Sequence, residues 1–109
     1  MARDPGLEEL LRERLAGVGG LAEQSLFGGW AWSLDGNLLC GASNAGALFR
    51  LGKGNDLWAL GIEGIAPMIS GRRVMAGWVR VAPERLDDDA LADRLIDAAL
   101  TFVRLLPAK

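Results

Sequence analysis

The stretch SLFGGWAWSLDGNLLCG, from Ser25 to Gly41, sets two glycines against two tryptophans inside a strand-like run. Asp35-Gly36-Asn37 is a turn former, because these residues tolerate positive φ or bond their own backbone. The runs on either side of it therefore read as antiparallel strands joined by a tight turn. Alternation sends Trp30, Trp32 and Leu34 to one face and Ala31 and Ser33 to the other. Gly28-Gly29 makes the bend that ends the preceding strand, and its missing Cβ atoms leave room for a neighbouring indole or backbone.

Working outward, Ser43-Asn44-Ala45-Gly46 is a further turn signal, so Leu21 to Leu51 reads as a meander of about four antiparallel strands. Asn55 to Leu60 suits a short helix capped by Asn55 or Asp56, with Leu57, Trp58 and Leu60 as apolar contacts. Ala66 to Ile69 and Val74 to Val81 form a hairpin around Ser70-Gly71-Arg72, with Met75, Gly77, Val79 and Val81 on one face and Trp78 and Arg80 on the other. After Pro83, Asp87-Asp88-Asp89 open a long helix whose stripe is Leu91, Leu95, Ala98, Phe102 and Leu105, ending at Leu106 or Pro107. Upstream, Asp4 before Pro5 starts a helix with Leu7, Leu10, Leu11 and Leu15 at helical spacing, which Gly17 and Gly19-Gly20 stop. The element order α-β-β-β-β-α-β-β-α with short links predicts an α+β fold, an antiparallel sheet of about six strands with helices on one face. The other face is left for solvent or a partner.

The chain has 109 residues, half of them hydrophobic, which predicts a single domain spanning residues 1–109. Its 15 glycines are about twice the typical share of ~7% and fit many tight turns. The charged start lacks the apolar run of a signal peptide, and no later stretch approaches about 18 uncharged apolar residues, so the expected location is cytoplasmic, with no membrane partner. Net charge is -2, so no global basic field draws in nucleic acid. The single cysteine, Cys40, excludes an internal disulfide and reads as a buried spectator in an apolar strand.

Histidine and tyrosine are absent and the lysines are only Lys53 and Lys109, which removes the usual general bases and nucleophile pairs and points away from an enzyme. No cofactor is expected. Asp87-Asp88-Asp89 do not read as a metal site, because consecutive residues at a helix start fan out instead of converging. Gly52-Lys53-Gly54 lacks both the hydroxyl residue and the preceding glycine of a phosphate loop. Two surfaces remain. Phe27, Trp30, Trp32 and Trp78 are the candidate partner surface: indoles in so small a domain commonly belong to the core, and the alternative is a flat aromatic face for binding or dimerisation. Arg50, Arg72, Arg73 and Arg80, with Lys53 nearby, are the candidate anion contact, Trp78 being available for stacking. Beside this stands the plainer reading of a polar turn, with the Arg80 stem covering apolar surface. The first expectation is a non-enzymatic protein-interaction module, a homodimer with a further protein partner not identified by the sequence. The alternative is a nucleic-acid or small-anion binding domain.

Taken in order, Leu26-Phe27-Gly28-Gly29, Asp35-Gly36-Asn37 with Cys40-Gly41, Leu48-Phe49-Arg50-Leu51-Gly52, Ala66-Pro67-Met68, Gly71-Arg72 with Met75-Ala76-Gly77-Trp78-Val79, and Ala99-Leu100 with Phe102, Leu106-Pro107 and Lys109 resemble the TfoX N-terminal domain family. The resemblance runs along nearly the whole chain. It implies a two-layer α+β domain similar to secretion-chaperone-like folds, which often pair into dimers, and a regulatory role like that of competence regulators. In those regulators a second domain follows the point that corresponds to Lys109, so a stand-alone first domain is expected here. Gln24-Ser25-Leu26 stands where family members commonly have methionine before Phe-Gly-Gly with a lysine nearby.

Overall fold

The computed structural model describes residues 3–26 and 28–109. Helix α1 (Pro5–Arg14) begins where the sequence predicts: Asp4 Oδ1 accepts from the Leu7 amide at 3.0 Å, and Pro5 stands where no amide is needed. Four strands follow, β1 (Leu21–Leu26), β2 (Gly29–Leu34), β3 (Asn37–Ser43) and β4 (Gly46–Arg50), each pairing antiparallel with the next. After α2 (Leu57–Leu60) come β5 (Ile65–Ser70) and β6 (Arg73–Val81), then a 3-10 turn (Pro83–Asp87) and α3 (Asp89–Val103). β6 inserts beside β4, so the sheet order is β1-β2-β3-β4-β6-β5 and β1 and β5 are its edges.

Both long helices cover the same face. Leu7, Leu11 and Leu15 of the first helical segment and Leu95, Ile96, Ala99 and Val103 of α3 pack on two cross-strand rows, Trp30-Ala42-Ala47-Val81-Ile65 and Trp32-Cys40-Phe49-Val79. Trp32, Phe49, Val79 and Val81 are 0–1% exposed, so this layer is the principal core and supplies most of the burial that holds the fold. Gly29 has a packing reason: a Cβ there would lie 2.3 Å from the Ala42 carbonyl oxygen, so β2 and β3 approach too closely for any side chain.

Local readings shift in four places. The β5–β6 strands extend further than expected, leaving only Gly71-Arg72 as the turn. α2 starts at Leu57, with Asp56 at the cap position but without a capping side-chain bond. α3 opens at Asp89 with Asp88 Oδ1 accepting from the Leu91 amide at 3.1 Å, and it stops at Val103. Its buried stripe is Leu91, Ala92, Leu95, Ile96, Ala99, Leu100 and Val103, while Ala98 and Phe102 border it and Leu105 is 78% exposed. The helix is thus rotated from the predicted stripe, because packing on a broad sheet rewards a face centred on Leu95 and Ala99.

Candidate functional site

The helix-free face is built by the alternate residues of the same strands. Register places Ala31, Gly41, Leu48, Arg80 and Ala66 in one row across the sheet, next to Ser33-Leu38 and Arg50-Trp78 pairs. Alanine and glycine at the middle of the first row leave its floor low. The β5–β6 hairpin supplies a roof. Its register shifts between Pro67 and Ile69, and Gly77 sits at φ +85°, where a Cβ would lie 2.5 Å from the Lys53 amide nitrogen. Gly77 also accepts from the Leu51 and Gly52 amides through its carbonyl at 2.8 and 3.1 Å, which pins the bend to the end of β4.

Beyond the bend, Met68 turns inward and is buried, while Ile69 and Val74, a cross-strand pair, stay 52% and 59% exposed. Ile69, Ser70 and Gly71 close over the floor, and the space between is a cavity of about 390 Å³ lined chiefly by Leu26, Ala31, Leu38, Leu48, Met68 and Trp78, with Arg80 as its single charged group. A neighbouring cavity of about 260 Å³ shares Leu38, Met68 and Trp78 and adds Arg50, Met75 and Lys109. Met75 was expected with Val79 and Val81. The bulge at Gly77 shifts the alternation, so Met75 faces the same hollow as Trp78.

The charged side chains of these strands are of one sign. No aspartate or glutamate occurs in β2, β3, β4, β5 or β6, whereas Arg50, Arg73 and Arg80 do. Among the described residues none of Arg50, Arg72, Arg73 and Arg80 forms an ion pair. Arg50 donates from Nη1 to the Leu38 carbonyl at 3.3 Å, with its guanidinium 5.9 Å from the Trp78 ring centre. Three arginines of the helix layer behave differently: Arg3 pairs with Glu8, Arg12 with Glu9 and Glu23, and Arg14 with Asp89 and Asp93, while Arg94 of α3 lies over the Trp58 ring. These bonds act on titration. Hydrogen bonding to Arg3 holds the buried Glu8 carboxyl below its ordinary value, and bonds from Arg12 and then Trp30 do the same for Glu23.

The expected aromatic surface does not form. Trp32 is 1% exposed beneath the helices, and Trp30, half-buried at the core's edge, donates from Nε1 to Glu23 Oε1 at 2.6 Å and carries the Arg3 guanidinium 4.3 Å from its ring centre. Alternation correctly put both indoles on one face, but that is the face the helices cover. Phe27 lies outside the described residues. Of the described members, Trp78 belongs to the open face, where it meets Arg50 and Arg80, and Trp30 only borders the cavity of about 390 Å³ from its place at the core's edge. Arg72 and Arg73 are exposed at the hairpin turn and line neither cavity. Lys53 is exposed, away from both.

Ala31, Leu38, Leu48 and Met68 were missed by sequence reasoning. The alternation of Leu48 and Arg50 against Ala47 and Phe49 carried the signal for β4, but nothing local marks Met68 as inward-facing. Cys40 is buried in the core row, and burial pushes its thiol well above the ordinary range, so it stays protonated and unreactive. Asp87, Asp88 and Asp89 separate as a helix start demands: Asp88 caps, Asp89 pairs with Arg14, and among the described residues no cluster of three or more metal-ligating side chains gathers. A further apolar hollow between α2 and α3, bordered by Leu57, Trp58, Phe102 and Leu105, contains no charged side chain. No helix among the described residues is long and apolar enough to cross a membrane.

No curated protein and no solved structure shows significant similarity to the chain. The model of the TfoX N-terminal domain matches residues 13–103, from the end of α1 to the end of α3 and through every strand described above. With that match covering most of its length, the chain belongs to the TfoX N-terminal domain family.

Proposed function

We propose that the chain is a non-enzymatic, cytoplasmic regulatory module that docks a segment of a partner protein on the helix-free face of its sheet. Membership in the family suggests a competence-related regulatory domain. The observation that carries the reading is the apolar trough of Leu38, Leu48, Met68 and Trp78 with Arg50 and Arg80 beside it and no aspartate or glutamate in its lining. Apolar contact with one or two cations suits an acidic, apolar peptide. A nucleic acid asks for a longer run of phosphate contacts, which a chain of net charge -2 does not offer on this face. The test is fluorescence anisotropy of a labelled peptide of alternating leucine and glutamate, and of a labelled DNA duplex, at low and moderate salt. Binding of the peptide that disappears with Arg80→Glu supports the reading. Preferential, steeply salt-dependent binding of the duplex replaces it with the nucleic-acid alternative.

A homodimer is supported by a separate observation. β1 is an outermost strand of six residues, without proline and paired to β2 in unbroken register, whereas the opposite edge, β5, carries Pro67 and a register shift. An open, regular edge invites pairing with another strand, and a second copy offers the same edge in antiparallel sense. Sedimentation velocity tests this: Gln24→Pro should yield a folded monomer where the parent chain sediments as a dimer. A parent chain that sediments as a monomer at all concentrations removes the dimer.

A further inference from the structure

We infer that the pocket beneath the hairpin tip is a site for an apolar group bearing a single carboxylate, seated with its carboxylate on Arg80. The inference rests on the helix-free face being the binding surface and names the chemistry its enclosed part accepts. The volume, about 390 Å³, lies at the small end of the roughly 300–1,000 Å³ typical of ligand pockets. Its walls are chiefly apolar, Ala31, Leu48, Met68 and Trp78 among them; of the two serines in the lining, Ser43 already accepts from the Ala45 amide at 3.2 Å and Ser70 is exposed at the hairpin tip. An apolar body is therefore what the space rewards, since a polar one would lose water without recovering hydrogen bonds. Arg80 is half-buried, with its Cγ so near the backbone that a Cβ added at Gly46 would lie 3.7 Å from it, and among the described residues it forms no ion pair. A guanidinium so placed matches one carboxylate by a forked pair of hydrogen bonds. One cation without a nest of backbone amides is a poor match for a polyphosphate.

The experiment is isothermal titration calorimetry of the purified chain with octanoate and with octanamide, which has the same apolar body and no charge. Octanoate is expected to bind one to one, and octanamide about ten-fold or more weaker, the difference being the charge-assisted bonds. Arg80→Met, which keeps an apolar stem, should reduce octanoate to the level of octanamide and leave octanamide unchanged. Leu48→Trp, which fills the pocket, should weaken both. Should that variant fail to fold, the acid-to-amide ratio with and without Arg80 decides the matter. Absence of octanoate binding, equal binding of the amide, or an unchanged ratio in Arg80→Met overturns the proposal. A blocked leucyl dipeptide with a free C-terminus, run in parallel, assigns the carboxylate to a chain terminus if it binds more tightly than octanoate and to a free acid if less; both support the shared chemistry. The leucine-glutamate peptide is measured on the same samples. If it binds and octanoate does not, only the pocket assignment falls; if octanoate binds and the peptide does not, only the protein-segment reading falls.

Discussion

The two faces of the sheet use the same strands and the same alternation, yet they end in different states. On one, the row Trp32-Cys40-Phe49-Val79 is sealed by α1 and α3. On the other, the row Ala31-Gly41-Leu48-Arg80 is only partly roofed by a bent hairpin, and a cavity remains. The difference teaches that burial alone does not make a core. Ala31 and Met68 are as buried as core residues but belong to a separate group under the hairpin tip, where the neighbours are small, flexible or charged. Stability should therefore follow the helix side and binding the hairpin side.

The sharpest test compares two tryptophans. Trp32→Ala should cost about 3–5 kcal/mol in urea unfolding, the range for emptying a core aromatic site. Trp78→Ala, half-buried on the open face, should cost about 1 kcal/mol or less. Equal costs would erase the distinction between the faces. Next comes the bend. Gly77→Ala must place a Cβ where the Lys53 amide stands, at a φ costing about 1–2 kcal/mol for an L-residue, so a loss of roughly 2 kcal/mol or more is expected. Gly71→Ala, at the tip with open space around it, should lose about 1 kcal/mol. Hydrogen exchange should then show protection of Met68 and its neighbours falling in Gly77→Ala and holding in Gly71→Ala.

A smaller effect separates the faces by pH. Glu8 and Glu23 lie in the helix-side ion-pair network, and both are held below the ordinary carboxyl value of 4.5. Between the folded and unfolded pKa values the unfolded chain binds more protons, so their contribution is fully present above about 4.5 and is lost as pH falls through the folded values. Thermal melts should show an acid limb that flattens in Glu8→Gln. The smallest stability change is expected on the open face itself: Arg80→Met should shift unfolding by less than about 0.5 kcal/mol while abolishing peptide binding. A large destabilisation would make Arg80 a structural residue instead.

Much of this arrangement was legible in local pattern. Period-two alternation in β2 and β6 sorts Trp32 from Ala31 and Val79 from Arg80, and the turn residues mark the hairpins. Alternation does not say which of two faces receives the helices, so Trp30 and Trp32 can be read from the sequence either as core or as a partner surface. The signal that decides it is long-range: the leucines of α1 and the aliphatic stripe of α3 must meet an equally apolar face, and only the row with Trp32, Phe49 and Val79 provides one. The pocket was hidden by a different limit. Its roof depends on a bulge at Gly77, and a bulge changes which side Met68 and Met75 take without altering the residue types that a reading of strands relies on.

The sorting of charge between the two layers has an electrical consequence. With carboxylates concentrated on the helices and loops and none on β2 through β6, while Arg50, Arg73 and Arg80 sit on the strands, the molecule carries a dipole moment across its thickness. A net charge of -2 governs how fast it drifts in a field, but the dipole governs how it turns. Approaching any anionic surface, the chain presents its strands first, and it should be retained on both cation- and anion-exchange media at low ionic strength, held by opposite sides.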